Sequence, residues 1–303
     1  MRLLLNGFIF LFLCTMAFGQ QQTGGVPAPD LFVLPTPMQA TNNDINNNTL
    51  SSQKIDTTKK NLILIVAGQS NIANVGLTQY TPSNPTGLDE LYVSDGAIYK
   101  AIDPALGVSI PTGGVAFPGL RIADTLVTNG KFDRVILVPI SIGGTLIADW
   151  ATGVESNRIQ VALLRIKNRG ITCGGTNQTC AIIWGIGESD EQAGTSQVSW
   201  TASFNTIVSN NSSFVGRWFV AEQTWWSGVS AAIQAAQTVA SPSGVINNGA
   251  GIYAGPNADV LINSTCGGVA CRQAANLPHF TDAGCASYAA AWVTALAASG
   301  APF

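Results

Sequence analysis

The sequence predicts an α/β fold, a three-layer α/β/α sandwich around a five-stranded, mostly parallel sheet. Two observations lead to this prediction. Near-continuous apolar runs recur along the chain, and such runs are typical of strands that are buried on both faces of a parallel sheet. Segments with helical spacing separate these runs, as expected when right-handed crossover helices connect parallel strands and cover both faces of the sheet.

Five apolar runs are the predicted strands. Most are bounded by glycine or by polar residues, which mark the points where a buried strand ends. In chain order they cover residues 61–67, 134–140, 181–187, 218–222 and 259–262.

Three segments between and after the strands are predicted helices. Ile159, Leu163 and Ile166 repeat at helical spacing, and Gly170 is placed to end that helix. Residues 229–239 are rich in Ala and Gln, which favour helix. Residues 281–298 begin with Thr281, a residue type that caps helix N-termini.

The two ends of the chain differ in composition. Residues 1–19 contain one basic residue, an apolar stretch and small residues at positions 17 and 19, which is the pattern of a secretory signal peptide. Residues 20–59 are a polar low-complexity segment, predicted to be a linker, and residues 60–303 suit one α/β domain. We therefore expect a secreted or periplasmic protein with no integral membrane segment after removal of the signal.

Charge and cysteine content narrow the possible partners. Charged residues make up 10% of the chain and the net charge is −3, so the sequence predicts no nucleic-acid partner. Two local disulfides are predicted, Cys173–Cys180 and Cys266–Cys271, with Cys285 as a buried free thiol. A metal site is the alternative for these cysteines, but a single histidine and the lack of paired CxxC motifs disfavour it. No metal and no cofactor are predicted.

Small polar residues follow three of the predicted strands. These segments are Gly68-Gln69-Ser70-Asn71, Ser141-Ile142-Gly143-Gly144-Thr145 and Gly187-Glu188-Ser189-Asp190. In an open α/β sheet, ligands bind outside the carboxyl ends of the strands. Turn residues are also needed there for structural reasons, but three such segments together indicate a functional site.

The only histidine of the chain, His279, directly precedes the last predicted helix. A lone histidine is often structural. A serine hydroxyl, however, is a weak nucleophile until a neighbouring base accepts its proton, and imidazole is the usual base. If the chain is a serine hydrolase with a histidine base, His279 is that base and Ser70 is the candidate nucleophile.

The order of these segments resembles the conserved blocks of the SGNH-hydrolase superfamily. More narrowly, it is similar to the sialate O-acetylesterase and acetylxylan esterase-like branch of carbohydrate esterases. The resemblance covers about residues 60–300 and rests on the three segments above together with His279-Phe280 and Gly284. It implies a flavodoxin-like fold, an SGNH-type esterase domain over residues 60–303, and hydrolysis of acetyl esters on sugars.

The resemblance also implies roles for individual residues. Ser70 is the nucleophile and His279 the base. The backbone N–H groups of Ser70 and of Gly143 or Gly144 stabilise the oxyanion. We expect Asn276, three residues before His279, to take the catalytic position in which the family usually has aspartate. We also expect Gln69, Asn71 and Glu188 to contact the substrate, an acetylated carbohydrate.

Two departures from the family pattern leave alternatives open. With Asn276 in the aspartate position, His279 is supported by the amide, by a substitute acid, or only weakly. The candidate substitute acids are Asp282, Asp259 and Glu188. Ile186 replaces a glutamine that serves the family as an oxyanion donor, so backbone N–H groups act alone or another amide substitutes. The candidate amides are Gln69, Asn71 and Gln223. Both departures predict a slower enzyme than the family norm.

The predicted function is that of a secreted serine esterase that removes O-acetyl groups from carbohydrates. One alternative is an esterase or lipase that acts on other acyl esters. Another is a carbohydrate-binding member of the fold with weak or no catalysis, which the two departures would explain. Among the aromatic residues, Trp225 and Trp226 are candidates for stacking on a sugar, whereas Trp150 is better explained by packing.

Overall fold

The computed structural model describes residues 49–109, 113–262, 265–273 and 278–303, and its centre is a seven-stranded sheet. The strands are, in chain order, β1 (Asn61–Gly68), β2 (Leu88–Leu91), β3 (Ile98–Lys100), β4 (Arg134–Pro139), β5 (Gln178–Gly185), β6 (Arg217–Glu222) and β7 (Ile252–Asn257). Their spatial order is β3-β2-β4-β1-β5-β6-β7. All neighbouring pairs run parallel except β2 and β3, which are antiparallel.

The first four predicted strands are confirmed as β1, β4, β5 and β6, but the predicted number of five is wrong. The segment 259–262 is not a strand, and its Val260 and Ile262 are exposed. The edge strand β7 lies just before it and contains Gly255 and Pro256, so no continuous apolar run marks it. The short strands β2 and β3 carry charged residues and give no such run either.

Seven α-helices are described. They are α1 (Pro118–Thr128), α2 (Ile147–Ala151), α3 (Arg158–Asn168), α4 (Glu188–Ala193), α5 (Gln197–Asn210), α6 (Ala231–Thr238) and α7 (Asp282–Ala298). The three predicted helices are confirmed as α3, α6 and α7. The Thr281 side chain caps α7 by accepting a hydrogen bond from the Gly284 N–H, at 3.1 Å. Gly170 follows α3 with a φ of +73°, a conformation that favours glycine.

Alternate residues of β1 enter two different apolar layers. Leu62, Leu64 and Val66 join the layer that contains residues of α1 and α7. Ile63, Ile65 and Ala67 join the opposite layer, which contains residues of α2, α3, α5 and α6. Burying each Leu, Ile or Val side chain contributes roughly 1.5–3 kcal/mol. The three-layer sandwich is therefore confirmed, and burial on both faces explains the uninterrupted apolar run.

Residues 50–59 fall in the predicted linker, but they are hydrogen-bonded to the domain. Leu50 forms a β-bridge with Tyr99, and the Ser51 N–H donates to the Ile98 carbonyl at 2.9 Å. The Arg134 guanidinium donates to the Lys54 carbonyl at 3.1 Å. The described part of this segment thus extends the edge of the sheet beyond β3. The predicted signal peptide, residues 1–19, lies outside the described residues.

The cysteine predictions are confirmed. Cys173 is bonded to Cys180, Cys266 is bonded to Cys271, and Cys285 is a buried free thiol. The two disulfides fit an oxidising compartment. Within the described ranges, no helix has both the length and the apolar character that a membrane span requires.

Candidate active site

Ser70 lies at the carboxyl end of β1, near the middle of the sheet. The strand ends at Gly68, whose φ is +135°. A Cβ on Gly68 would lie 2.0 Å from the Gly185 carbonyl oxygen on β5, so only glycine fits between the two strands. The chain then forms a single 3-10 turn over Ser70–Ile72. This turn places Ser70 at the edge of the sheet formed by the carboxyl ends of its parallel strands, here called the C-terminal edge.

The segment after β4 approaches Ser70 through Gly143. A Cβ on Gly143 would lie 3.5 Å from the Ser70 Cβ, so the bare side of this glycine faces the serine. The Gly143 N–H donates to the Ser109 hydroxyl at 2.6 Å. Among the described hydrogen bonds, neither the Ser70 nor the Gly144 N–H has an acceptor. Of the two glycines predicted to form the oxyanion hole, Gly144 is therefore the one whose N–H is available.

Gln69 connects the Ser70 turn to the segment after β5. Its side-chain carbonyl accepts hydrogen bonds from the N–H groups of Gly187, at 3.1 Å, and Ser189, at 3.4 Å. Its own N–H donates to the Gly185 carbonyl at 2.8 Å. The side chain is buried, and these bonds fix the N-terminus of α4 beside the turn.

Asn71 connects the same turn to the loop that carries His279. The Asn71 side-chain N–H₂ donates to the Pro278 carbonyl at 2.8 Å, and its carbonyl accepts from the Phe280 N–H at 3.0 Å. Both neighbours of His279 are thus held by the residue that follows Ser70. The structure brings the two loops together through Asn71, and His279 itself is half-buried between its two anchored neighbours.

Glu188 is the acidic partner of Asn71. Its carboxylate accepts from the Asn71 side chain at 2.6 Å and from the Gln223 side chain at 3.0 Å. Burial raises the pKa of Glu188 to about 7, although both hydrogen bonds and the nearby Arg272 lower it. Asn71 and Glu188 are fully buried with protein partners, so we assign them a role in positioning the loops rather than direct contact with the substrate.

Arg272 is a buried cation beneath the His279 loop that the sequence analysis did not identify. Its guanidinium donates to the carbonyls of Pro278, Leu261 and Ala258. It also stacks on two rings, 4.8 Å from the Trp225 centroid and 4.7 Å from the Phe280 centroid. No local pattern marks this residue, because its partners come from separate segments.

The pKa of His279 is lowered from 6.5, first by burial and second by the positive charge of Arg272. Both effects disfavour the imidazolium form. At neutral pH the ring is therefore neutral, which is the state that a general base requires.

The three carboxylates considered as substitutes for the family aspartate all have other partners. Asp282 accepts from the N–H groups of Leu77 and Thr78, at 2.8 and 3.0 Å. Asp259 accepts from the N–H groups of Thr224 and Trp225, and Glu188 accepts from two amides as described above. Asn276 lies outside the described residues, so its catalytic role stays a prediction.

The side chain of Ile186 is fully buried in the apolar layer beneath α5 and α6. Two of the three amides considered as substitute oxyanion donors use their N–H₂ groups elsewhere. Asn71 donates to Glu188 and Pro278, and Gln223 donates to Glu188. These contacts favour an oxyanion hole built without either amide.

The tryptophans fall into two groups. Trp150 is buried, donates to the Thr145 hydroxyl at 3.0 Å and packs edge-on against Trp184 at 5.2 Å, so it belongs to the core. Trp225 and Trp226 are half-buried in the segment that follows β6 at the C-terminal edge. A groove of about 600 Å³ lies at the opposite edge of the sheet, lined by residues at the starts of β1, β5 and β6, and it contains none of the site residues.

Comparison with known proteins identifies the family. A family model described as carbohydrate esterase, sialic acid-specific acetylesterase matches residues 60–215, just over half of the chain. The matched region includes Ser70, Gly143, Gly144 and Glu188 and ends before His279. No curated protein sequence matches the chain.

Three solved structures were compared with the fold. A protein of Arabidopsis thaliana is 17% identical over 79% of this chain and 98% of its own, with a TM-score of 0.56, and this likeness concerns the fold alone. NanS is 17% identical over 55% of this chain and 68% of its own, with a TM-score of 0.39. A carbohydrate acetylesterase from Xanthomonas citri is 12% identical over 53% of this chain and 40% of its own, with a TM-score of 0.30.

The family match over residues 60–215 agrees with the α/β fold and with the polar segments at the C-terminal edge. The chain therefore belongs to the carbohydrate esterase, sialic acid-specific acetylesterase family, and it is a carboxylic ester hydrolase of the acetylesterase class.

Proposed function

We propose that the chain is a secreted serine esterase that removes O-acetyl groups from carbohydrates, with Ser70 as nucleophile and His279 as base. The observation that carries this proposal is the pair of hydrogen bonds from Asn71 to Pro278 and Phe280. Because Asn71 directly follows Ser70, these bonds join the loop of the only histidine of the chain to the turn that carries the serine.

The first half of the reaction forms an acyl-enzyme. The Ser70 hydroxyl attacks the acetyl carbonyl carbon while His279 accepts the hydroxyl proton, and a tetrahedral intermediate with a negative oxygen forms. Collapse of this intermediate breaks the bond between the acetyl carbon and the sugar oxygen. His279 returns its proton to that oxygen, so the sugar leaves as an alcohol and the acetyl group remains on Ser70.

The second half releases acetate. A water molecule attacks the acetyl-serine ester while His279 accepts one of its protons. The second tetrahedral intermediate then collapses, the bond to the Ser70 oxygen breaks, and His279 protonates that oxygen. Acetic acid leaves and loses its remaining proton to the solvent as acetate, and the free serine is restored. In both intermediates the N–H groups of Ser70 and Gly144 stabilise the negative oxygen.

Trp225 and Trp226 support the proposal that the substrate is a carbohydrate. Both are partly exposed in the segment after β6, and Trp225 is fixed by its contact with Arg272. An aromatic ring presents an apolar face that suits the C–H face of a sugar. We expect one of the two indoles to contact the sugar that bears the acetyl group.

Acetate release from acetylated xylan, O-acetylated sialic acid and 4-nitrophenyl acetate tests the mechanism. Ser70→Ala and His279→Ala should each abolish turnover while leaving the unfolding temperature close to that of the wild type. A fluorophosphonate should label the wild-type protein at Ser70. Full activity in either variant would contradict the proposed mechanism.

A series of acyl chain lengths tests the substrate class. A carbohydrate acetylesterase should prefer acetate over butyrate and longer acyl groups in 4-nitrophenyl esters. A preference for the longer chains would favour the alternative function, an esterase or lipase that acts on other acyl esters.

Secretion is supported by the two disulfides and by the composition of residues 1–19. Expression of the full chain with N-terminal sequencing of the exported product tests it. The mature protein should begin at Gln20, after the small residue Gly19. Retention of the full chain inside the cell, with residues 1–19 intact, would contradict this part of the proposal.

A further inference from the structure

We infer that the Ser109 hydroxyl is an additional oxyanion donor and relays the Gly143 N–H to the reacting oxygen. This inference rests on the proposed function, because it concerns the same intermediate on Ser70. It assigns a catalytic role to a residue that lies outside the strand-end segments and precedes the family-like Gly143-Gly144 pair by more than thirty positions.

Hydrogen bonds to neighbouring segments hold Ser109 in place. The Asn74 side chain exchanges two hydrogen bonds with the backbone of Ala105, each 2.9 Å long, and the Asn74 N–H donates to the Ser109 carbonyl at 3.2 Å. The Ser109 N–H donates to the Ser141 carbonyl at 3.2 Å. The backbone of residue 109 is thereby fixed to both the segment after Ser70 and the segment after β4.

A buried arginine strengthens this attachment. Arg158 donates to the Gly107 carbonyl at 3.2 Å and to the Ile140 carbonyl at 3.1 Å, and it pairs with Glu155 at 3.2 Å. Its guanidinium thus links the 105–109 loop to the end of β4. Such anchoring is what a preorganised donor needs, because a donor that must be ordered during the reaction contributes less.

The missing side chain of Gly143 leaves space next to both serines. A Cβ on Gly143 would lie 3.1 Å from the Ser109 hydroxyl oxygen and 3.5 Å from the Ser70 Cβ. Both side chains therefore border the same volume. The negative oxygen of a tetrahedral adduct on Ser70 lies about 3 Å from the Ser70 Cβ by bond lengths alone, so this volume can accept it.

The hydrogen bond from Gly143 leaves the hydroxyl proton of Ser109 available. Its oxygen accepts the Gly143 N–H at 2.6 Å, and a serine hydroxyl can accept and donate at the same time. Accepting a hydrogen bond polarises the hydroxyl and makes it a stronger donor. The Gly143 N–H, whose hydrogen bond goes to Ser109, does not itself contact the substrate. Through the Ser109 O–H it would still help to stabilise the negative oxygen.

Ser109 can also provide the side-chain oxyanion donor that Ile186 lacks. The family resemblance implies a glutamine oxyanion donor at that position, whereas Ile186 is apolar and buried. The amides of Asn71 and Gln223 donate to Glu188 instead. The Ser109 hydroxyl borders the reacting volume and can donate in place of these two amides.

Steady-state kinetics of Ser109→Ala and Ser109→Thr test the inference with 4-nitrophenyl acetate. Loss of one oxyanion donor lowers kcat by about 10²–10³-fold, so the alanine variant should fall by roughly this factor with KM within about twofold. The threonine variant keeps the hydroxyl and should retain kcat within about tenfold of the wild type. Ser141→Ala is the matched control, because it removes a buried hydroxyl of the neighbouring segment that donates to the Val66 carbonyl.

Three results would overturn the inference. The first is a wild-type kcat in Ser109→Ala. The second is an equal loss in the alanine and threonine variants, which would indicate packing. The third is a raised KM with unchanged kcat, which would indicate ground-state binding. If Ser70→Ala is inactive while Ser109→Ala is normal, only this inference fails. If Ser70→Ala is active, the proposed function fails as well.

Discussion

Asn71 holds the backbone on both sides of His279. Its amide donates to the Pro278 carbonyl and its carbonyl accepts from the Phe280 N–H. A third bond, to Glu188, ties the same side chain to the N-terminus of α4. This one buried amide therefore sets the position of the His279 loop relative to Ser70, which directly precedes Asn71. Neither hydrogen bond to the loop involves a charged group.

Asn71→Ala should impair both stability and catalysis. The substitution removes three buried hydrogen bonds and leaves their partners unsatisfied, which costs about 2–4 kcal/mol of unfolding free energy. The His279 loop also loses its attachment, and a displacement of about 1 Å in a catalytic group can lower kcat by about 10²-fold. Urea unfolding and the kcat for acetate release measure the two effects.

Asn61→Ala is a matched control for this variant. Asn61 is also a buried asparagine, but it lies at the start of β1 and donates to the carbonyls of Asp56 and Lys59. It should lose stability to a similar extent and keep the kcat of the wild type. An equal fall of kcat in both variants would mean that Asn71 acts only through global stability.

The pH dependence of kcat/KM should have its acidic limb below pH 6.5. His279 accepts a proton only when it is neutral, and its pKa is lowered by burial and by Arg272. Activity should therefore persist to lower pH than an exposed histidine would allow. A profile measured from about pH 4 to 8 tests this expectation.

Glu188 titrates in the same range, because burial raises its pKa to about 7. The profile should therefore be repeated with Glu188→Gln, which removes this second group. A limb that stays below 6.5 in both proteins supports the assignment to His279. A limb at or above 6.5 in Glu188→Gln contradicts it.

Glu188 should also make the folded state less stable as the pH rises. Its pKa is raised from 4.5 to about 7, so between these values the folded state keeps a proton that the unfolded state releases. The free energy of unfolding therefore falls as the pH rises through this window, by about 3 kcal/mol for this group. Other buried carboxyls, among them Asp103 and Asp190, shift in the same direction.

The difference between the wild type and Glu188→Gln isolates the contribution of Glu188. Urea unfolding at about pH 5 and pH 8 should give a smaller loss of stability in the variant, because glutamine does not titrate. Identical pH dependence in the two proteins would show that Glu188 has the same pKa in the folded and unfolded states.

The sequence predicts the central part of the sheet because its strands are buried on both faces. Leu62 and Ile63, for example, enter opposite apolar layers, and this leaves a run that cannot be confused with a solvent-exposed strand. The short strands β2 and β3, toward one edge of the sheet, have no such apolar run. Asp89 in β2 is buried only because Arg134 and Lys100 pair with it across the sheet, at 2.6 and 2.9 Å.

The sequence likewise predicts only some residues of the candidate site. Ser70 and His279 are predicted because a nucleophile needs a base and the chain has one histidine. Arg272 and Ser109 are not found, because their roles depend on partners from distant segments, such as Ala258 for Arg272 and Gly143 for Ser109. These contacts exist only after folding and leave no spacing pattern in the sequence.

The Cys266–Cys271 disulfide should matter more for activity than the Cys173–Cys180 disulfide. The two close loops of similar length, with separations of 5 and 7 residues, so each should contribute about 2 kcal/mol by the chain-entropy account. Cys271 directly precedes Arg272, and its carbonyl accepts from the Thr281 N–H at 2.8 Å. Opening this loop therefore loosens the support of His279.

Paired serine substitutions measure this difference. Cys266→Ser with Cys271→Ser should lower both the unfolding temperature and kcat, whereas Cys173→Ser with Cys180→Ser should lower the unfolding temperature alone. Equal kcat in the two double variants would indicate that Arg272 holds the His279 loop without help from the disulfide.

Restoring the family glutamine at position 186 should not restore an oxyanion donor. The Ile186 side chain belongs to the apolar layer of Ile182 and Trp184, beneath α5 and α6, so a glutamine there would lie in the core. Burying its amide without partners costs about 1–3 kcal/mol in addition to the lost apolar burial. Ile186→Gln should therefore unfold at lower urea concentration and show no gain in kcat, and Ile186→Leu is the control for a change of shape without polarity. A rise in kcat for Ile186→Gln would mean that the side chain at this position reaches the reacting oxygen, contrary to its place in the apolar layer.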